Sequence, residues 1–173
     1  MLSDIQRRHN RLDGVINNAG VPHQGFVMMS GKNAIESVFE TNVYGTYLVS
    51  RASARLMQRR KYGRIVNMGS IALKTKMEGS AIYTASKGAV LEFTKVLAKE
   101  LAPFNITCNM VAPGLVDTAM FRRLSEKVME KCMDQLAVKR MTSIADLTNV
   151  IDFLLRKESS LITGQDICLG TIS

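Results

Sequence analysis

The chain has 173 residues, of which 46% are hydrophobic and 22% charged. That is length and apolar content enough for one globular domain with a real core, and it excludes a disordered or fibrous chain. Lysine and arginine number 23 against 15 acidic residues, a formal charge of +8, which suits an anionic cofactor, an acidic carrier protein or nucleic acid. The charges are dispersed and lack an interleaved aromatic platform, which disfavours a nucleic-acid-binding module.

No apolar run approaches the ~18 residues of a membrane span, and the first residues are too polar for a signal peptide; a cytoplasmic protein with no membrane partner is expected. Cys108, Cys132 and Cys168 are odd in number and widely spaced, against a disulfide framework. His9 and His23 stand at no ligand spacing to them, so no metal is expected.

In chain order, Val15-Ile16-Asn17-Asn18 reads as a short buried strand closed by Ala19-Gly20. A helical pattern over 34–60 follows. It ends in Arg59-Arg60-Lys61-Tyr62-Gly63-Arg64, read as a solvated helix end where cations complement the dipole and glycine stops the helix. Residues 64–68 form the second strand, closed by Gly69-Ser70, and 83–101 the next helix. Strand 106–111 stops at Pro113-Gly114; helical patterns cover 119–136 and 144–156, the latter with Ser143 and Asp146 as a capping box. Residues 166–169 are a fourth strand. Strands separated by helices of this length predict right-handed crossovers and a parallel sheet covered on both faces, an α/β three-layer Rossmann-like fold in a single domain over 1–173.

Ligands of such sheets bind at the carboxyl ends of the strands, near the point where strand order reverses. Three consecutive strands end there in Asn17-Asn18-Ala19-Gly20, Gly69-Ser70 and Pro113-Gly114. Tyr83 and Lys87 lie four apart on one helical face, and Ser70 supplies a hydroxyl from a strand end. Together they can make a proton-transfer site for alcohol and ketone chemistry.

These motifs, with Thr41-Asn42-Val43-Tyr44-Gly45 and Thr118, stand in the order and spacing of the short-chain dehydrogenase/reductases. The chain resembles that family over nearly its whole length, and most closely the branch of 3-oxoacyl-[acyl-carrier-protein] reductases. The resemblance implies an NAD- or NADP-dependent oxidoreductase that transfers hydride between the nicotinamide and a carbonyl or secondary alcohol. Tyr83 is then the general acid or base; Lys87 favours its phenolate and hydrogen-bonds the nicotinamide ribose. Ser70 holds the substrate carbonyl and stabilises developing oxyanion charge, and Asn42 anchors a water that links Lys87 to solvent. Asn17, Ala19 and Gly20 approach the cofactor ribose, Pro113 and Gly114 border the cofactor at the third strand end, and Val116 and Thr118 meet the carboxamide. Ser86 packs beside the site. The segment from Met120 corresponds to the variable lid, where Met120, Phe121, Leu124, Met129 and Met133 form an apolar wall for a fatty-acyl carbonyl substrate, possible on a carrier. Homo-oligomers form in the family through the helices at 34–60 and 83–101.

Two departures stand out. The family's first three strands and two helices, with the glycine-rich turn that receives the pyrophosphate, have no counterpart here, so 1–173 reads as the carboxyl-terminal catalytic half of a domain truncated at its amino-terminal half. Leu169-Gly170-Thr171-Ile172-Ser173 lacks the usual Asp-Gly-Gly ending. A bare edge at strand 15–18 then predicts an oligomer, a partner supplying the missing half, or poor solubility. The alternative to an enzyme is a catalytically inactive fragment, acting only as an interaction partner or as half of a split enzyme. Cofactor binding separates the two.

Overall fold

The computed structural model describes residues 2–118, 121 and 126–171. Helix α1 (Leu2–His9) leads into strand β1 (Gly14–Asn17), and α2 (Lys32–Phe39), a π-helical turn (Glu40–Gly45) and α3 (Thr46–Gln58) return to β2 (Gly63–Met68). A single turn, α4 (Ala72–Thr75), precedes the long α5 (Ala81–Leu101), which feeds β3 (Ile106–Ala112). Helices α6 (Glu126–Asp134) and α7 (Ile144–Leu155) lead to β4 (Asp166–Cys168). The four strands are parallel, in the order β1-β2-β3-β4.

Strands β2 and β3 are buried at every position, as continuous apolar runs covered on both faces should be. Alternate residues face opposite ways. Ile65 and Cys108 pack with Ala54 and Met57 of α3 and Leu97, Ala98 and Leu101 of α5, whereas Val66, Met68 and Val111 pack with Ile151 and Leu154 of α7. The three layers are therefore α3/α5, sheet and α7. The connections into β2 and β3 cross one face and the connection into β4 crosses the other, while strand order advances in one direction throughout. The last connection must have the opposite hand to the two before it, so the uniform right-handedness expected from sequence fails there. Strand order does not reverse within the sheet, and β1 pairs with β2 alone, leaving its other edge open.

The pattern over 34–60 is not one helix. Six residues, Glu40–Gly45, wind as a π-helix between α2 and α3, and Asn42 at its centre is 1% exposed. Such a wide turn adds a residue without breaking the helical path and re-aims a side chain inward, a device frequent at functional sites. The described α-helix within 119–136 is α6; residues 119, 120 and 122–125 of that pattern lie outside the described residues. The capping box of α7 forms as read: Ser143 Oγ accepts from the Asp146 amide and the Asp146 carboxylate accepts from the Ser143 amide.

Arg64 corrects the reading of the basic cluster. Arg59, Arg60 and Lys61 are exposed, but Arg64 is 1% exposed and donates to the carbonyls of Gly63, Asn105, Arg156 and Lys157. Its guanidinium lies 4.6 Å from the centre of the Tyr62 ring. Carbonyls at helix ends carry partial negative charge and want donors, so the cation staples the ends of α7 and of the turn before β3 to the sheet.

Gly114 shows why the third strand must end in glycine. A Cβ there would stand 2.5 Å from Thr142 Oγ1 and 2.8 Å from the Leu169 carbonyl oxygen, and the carbonyl belongs to backbone that cannot swing away. Gly114→Ala is expected to lower unfolding free energy by about 1–3 kcal/mol, read from the urea midpoint; an unchanged midpoint would show that the 141–143 segment can shift freely.

Among the described residues no helix is long and apolar enough to cross a membrane.

Candidate active site

The site forms at the carboxyl edge of β1 and β2, where the first turns of α5 meet the π-helical turn. Lys87 is 5% exposed, and its Nζ donates to the Met68 carbonyl at 2.9 Å, which leaves two further N–H groups facing the site. Burial disfavours the ammonium and lowers its pKa from 10.5 to about 8. Tyr83 lies one turn earlier, half-buried, with Lys87 Nζ 5.8 Å from its ring centre. Its phenol is pushed above 10 by burial, with the Ser70 hydroxyl's hydrogen bond pulling the other way. Desolvation outweighs the Ser70 hydrogen bond, so the phenol is raised rather than lowered in this arrangement. At neutral pH Tyr83 is a protonated donor. Ser70 is oriented by the Ala72 amide, which donates to its Oγ at 3.1 Å.

Asn42 holds the opposite wall. Its Oδ1 accepts the Val21 N–H at 2.8 Å, and its Nδ2 donates to the Val21 carbonyl and the Ser86 hydroxyl, both at 3.0 Å. Ser86 Oγ in turn donates to the Tyr83 carbonyl at 2.7 Å. Ser86 is thus the bridge between Asn42 and the helix bearing Tyr83, more than the packing residue expected; its place three residues after Tyr83 is the signal, since serine in a helix often bonds the preceding turn. A Cβ on Gly20 would stand 3.4 Å from Asn42 Oδ1 and 3.5 Å from Lys87 Nζ, so the bare glycine lets the chain after β1 pass close to both.

Five of the residues anticipated from sequence, Gly20, Asn42, Ser70, Tyr83 and Lys87, converge. The others stand further off. The Asn17 side chain donates to Ser50 Oγ and Asn67 Oδ1, part of a buried network that continues through Asn67 to Thr94 and Cys108. Ala19 is exposed and Val116 half-buried. The Pro113 carbonyl accepts the Ile71 N–H, tying the third strand end to the Ser70 turn. Gly114 faces Thr142 and Leu169. Thr118 is exposed, its hydroxyl accepting from the Phe121 amide at 3.2 Å. Of the lid residues, Phe121 and Met133 pack on a cluster of Ile71, Leu115, Cys132 and Leu136, Met129 is half-buried, and Met120 and Leu124 lie outside the described residues. Met77, in contact with Cys132, was not anticipated; it joins the loop before Tyr83 to α6.

The buried lysine gives stability a definite pH dependence. Its folded pKa lies below its unfolded one, so between about 8 and 10.5 the unfolded chain binds more protons and stability must rise with pH. The rise is expected to reach at most about 3 kcal/mol, and to be missing in Lys87→Met. Urea midpoints at pH 7, 8.5 and 10 measure it; equal slopes in the two proteins would contradict it.

Fold and site together define a Rossmann-like α/β protein in which Ser70, Tyr83 and Lys87 converge at the carboxyl edge of the sheet. The chain belongs to the short-chain dehydrogenase/reductase family: the family model described as Enoyl-(Acyl carrier protein) reductase matches residues 1–170. It is 38% identical over 162 residues to the 3-oxoacyl-[acyl-carrier-protein] reductase FabG of Aquifex aeolicus, covering 92% of this chain and 65% of the relative. To the 3-oxoacyl-[acyl-carrier-protein] reductase MabA of Mycobacterium bovis it is 31% identical over 160 residues, with 92% and 65% covered. A crystal structure provisionally described as a gluconate dehydrogenase from Agrobacterium tumefaciens superposes with a TM-score of 0.92 at 26% identity, covering 98% of this chain and 68% of that one. The chain spans about two thirds of the length of the relatives it matches.

Proposed function

We propose that this chain carries the proton-transfer half of NAD(P)H-dependent carbonyl reduction, with Tyr83 as general acid and a 3-oxoacyl group, possible on a carrier protein, as substrate. One observation carries the reading: a phenol kept protonated by burial is hydrogen-bonded to Ser70 and has a buried ammonium one helical turn away. The donor set fits the nicotinamide-ribose end of the cofactor, since Lys87 has two N–H groups to spare beside the bare backbone of Gly20. NADH or NADPH, when bound, supplies the hydride that the carbonyl carbon accepts.

Ser70 donates a hydrogen bond to the carbonyl oxygen and stabilises its growing charge. Tyr83 delivers its proton to that oxygen. Lys87, able to release a proton near pH 8, holds charge beside the resulting phenolate and returns a proton to it, with Asn42 as the anchor of a water route to solvent. Names of the relatives point to acyl-carrier substrates, and the +8 charge complements an acidic carrier. Homo-oligomer formation through α3 and α5 is part of this proposal.

Titration of the purified chain with NADH and NADPH, followed by nucleotide fluorescence and thermal unfolding, tests it. A ligand at a hundred times its Kd stabilises the folded state by about 2.7 kcal/mol, so a saturable upward shift is expected. Absence of any shift at millimolar nucleotide would favour the second reading, a non-catalytic half or interaction partner. The open edge of β1, with Ile16 42% exposed, supports that reading, since an unpaired edge invites strand pairing.

A further inference from the structure

Ser70 owes its orientation to α4, and α4 is a single turn of four residues, Ala72–Thr75, closed by Lys76 in the left-handed region at φ 44. One turn has no helical stability of its own, because nucleation costs more than its few hydrogen bonds return. Something else must hold it. Besides the packing of Leu73 beside Gly88 of α5 and the Ile71 N–H bond to the Pro113 carbonyl, two side chains attach it to the rest of the fold. Ile71, 6% exposed, joins the apolar cluster under α6. Lys74 reaches across to the edge strand, its Nζ 3.5 Å from Asp166 Oδ2.

Asp166 is an unusual residue to find there. Its side chain is 12% exposed, and both carboxylate oxygens are shielded from solvent. Its polar neighbours are the Lys74 ammonium and the Cys168 thiol, which stands two residues on along β4 and is pushed up to about 11 by burial first and then by the carboxylate. A carboxylate shielded from water depends on the cation beside it, and removing that cation is costly.

We infer that Lys74 and Asp166 form an ionic latch between α4 and β4 that fixes the Ser70 turn, making both of them positioning residues for the proton-transfer centre. The chain of contacts is short. Lys74 sits on the same turn whose Ala72 N–H holds Ser70 Oγ at 3.1 Å and whose Leu73 N–H bonds the Ser70 carbonyl at 3.2 Å. With the lysine pulled toward Asp166, that turn is tied to the start of β4; released, it keeps Ile71, the Pro113 carbonyl and the packing of Leu73 beside Gly88 of α5. The kinetic consequence rests on the proposed reduction; the structural one does not.

Amide hydrogen exchange by NMR, on the full chain and on Lys74→Met, Lys74→Arg and Asp166→Asn, reads the latch without reference to activity. In Lys74→Met the exchange of Ala72 and Leu73 is expected to rise about tenfold or more, while the Val21 amide held by Asn42 keeps its wild-type rate. Arginine at 74 should restore most of the protection, and Asp166→Asn, nearly the same shape, should reproduce the methionine result even if Lys74→Met does not fold. Wild-type exchange at Ala72 in a folded Asp166→Asn protein, or a rise spread equally over the whole sheet, would overturn the latch. In the reductase assay the latch predicts a fall in kcat in Lys74→Met with the KM for nucleotide unchanged and rescue by arginine. A wild-type kcat in folded Lys74→Met counts against it. Should the unmodified chain show no turnover, the proposed reaction falls and the exchange rates alone decide the latch.

Discussion

Replacing Tyr83 by phenylalanine is expected to reduce turnover of a 3-oxoacyl thioester by about 10²–10⁴-fold, the usual contribution of a positioned general acid. The ring stays, so the packing at the start of α5 stays. Ser70 Oγ keeps the Ala72 amide as a partner, and the loss of one hydroxyl should change stability by only about 1 kcal/mol. Nucleotide affinity, assigned to Lys87 and the Gly20 backbone, should be the same in both proteins. In the unmodified chain kcat/KM for reduction should be level below pH 8 and fall above it, as Lys87, with its pKa lowered to about 8, loses the charge that supports the phenolate. Turnover in Tyr83→Phe within tenfold of the unmodified chain would remove Tyr83 from the mechanism.

The largest expected effect on stability is at Asn42. Its side chain makes three hydrogen bonds, two to Val21 backbone and one to Ser86, and is 1% exposed. Asn42→Ala leaves a backbone N–H, a backbone C=O and a hydroxyl without that partner, at about 1–3 kcal/mol for each group that stays buried. A loss of about 3 kcal/mol, or roughly 10 °C in Tm for a chain of this size, is expected. Asn42→Asp should lie between, since a carboxylate can still accept from the Val21 N–H but cannot donate to the Val21 carbonyl. A change under 1 kcal/mol in the alanine variant would mean that water replaces the amide without cost. The same variant should also slow turnover, because Val21 follows directly on the Gly20 backbone that faces Lys87.

Much of this architecture was legible because buried parallel strands announce themselves. Val15 to Asn18, Arg64 to Met68 and Ile106 to Val111 are apolar runs ended by glycine or proline, and the structure moves their bounds by a residue at most, although the first, expected buried, lies at the open edge with Ile16 42% exposed. The π-helical turn was not legible: an apolar period near 3.6 is nearly unchanged by one wide turn, and only the buried asparagine at its centre marks it. Arg64 misled for the opposite reason. Its neighbours Arg59, Arg60 and Lys61 are solvated, and whether the fourth cation points into the sheet depends on carbonyls at Asn105, Arg156 and Lys157, about 40 to 90 residues away in the chain.

The site divides in the same way. Spacing alone placed Tyr83 and Lys87 together, since residues four apart share a helical face. The direction of the Tyr83 shift could not be read from spacing, because it is set by how deeply the phenol is covered. The same holds for Lys74, an ordinary lysine in sequence whose partner lies on a strand at the other end of the chain.

In the proposed reaction Tyr83 and Ser70 complete a hydride transfer to a carbonyl carbon. Incubating the full chain with NADPH or NADH deuterated at C4 of the nicotinamide and an acetoacetyl thioester, and weighing the product by mass spectrometry, tests it most directly. Deuterium at C3 of a 3-hydroxybutyryl product is expected with the unmodified chain, and a loss of about 10²–10⁴-fold with Tyr83→Phe. A folded, nucleotide-saturated chain that forms no deuterated product would contradict it.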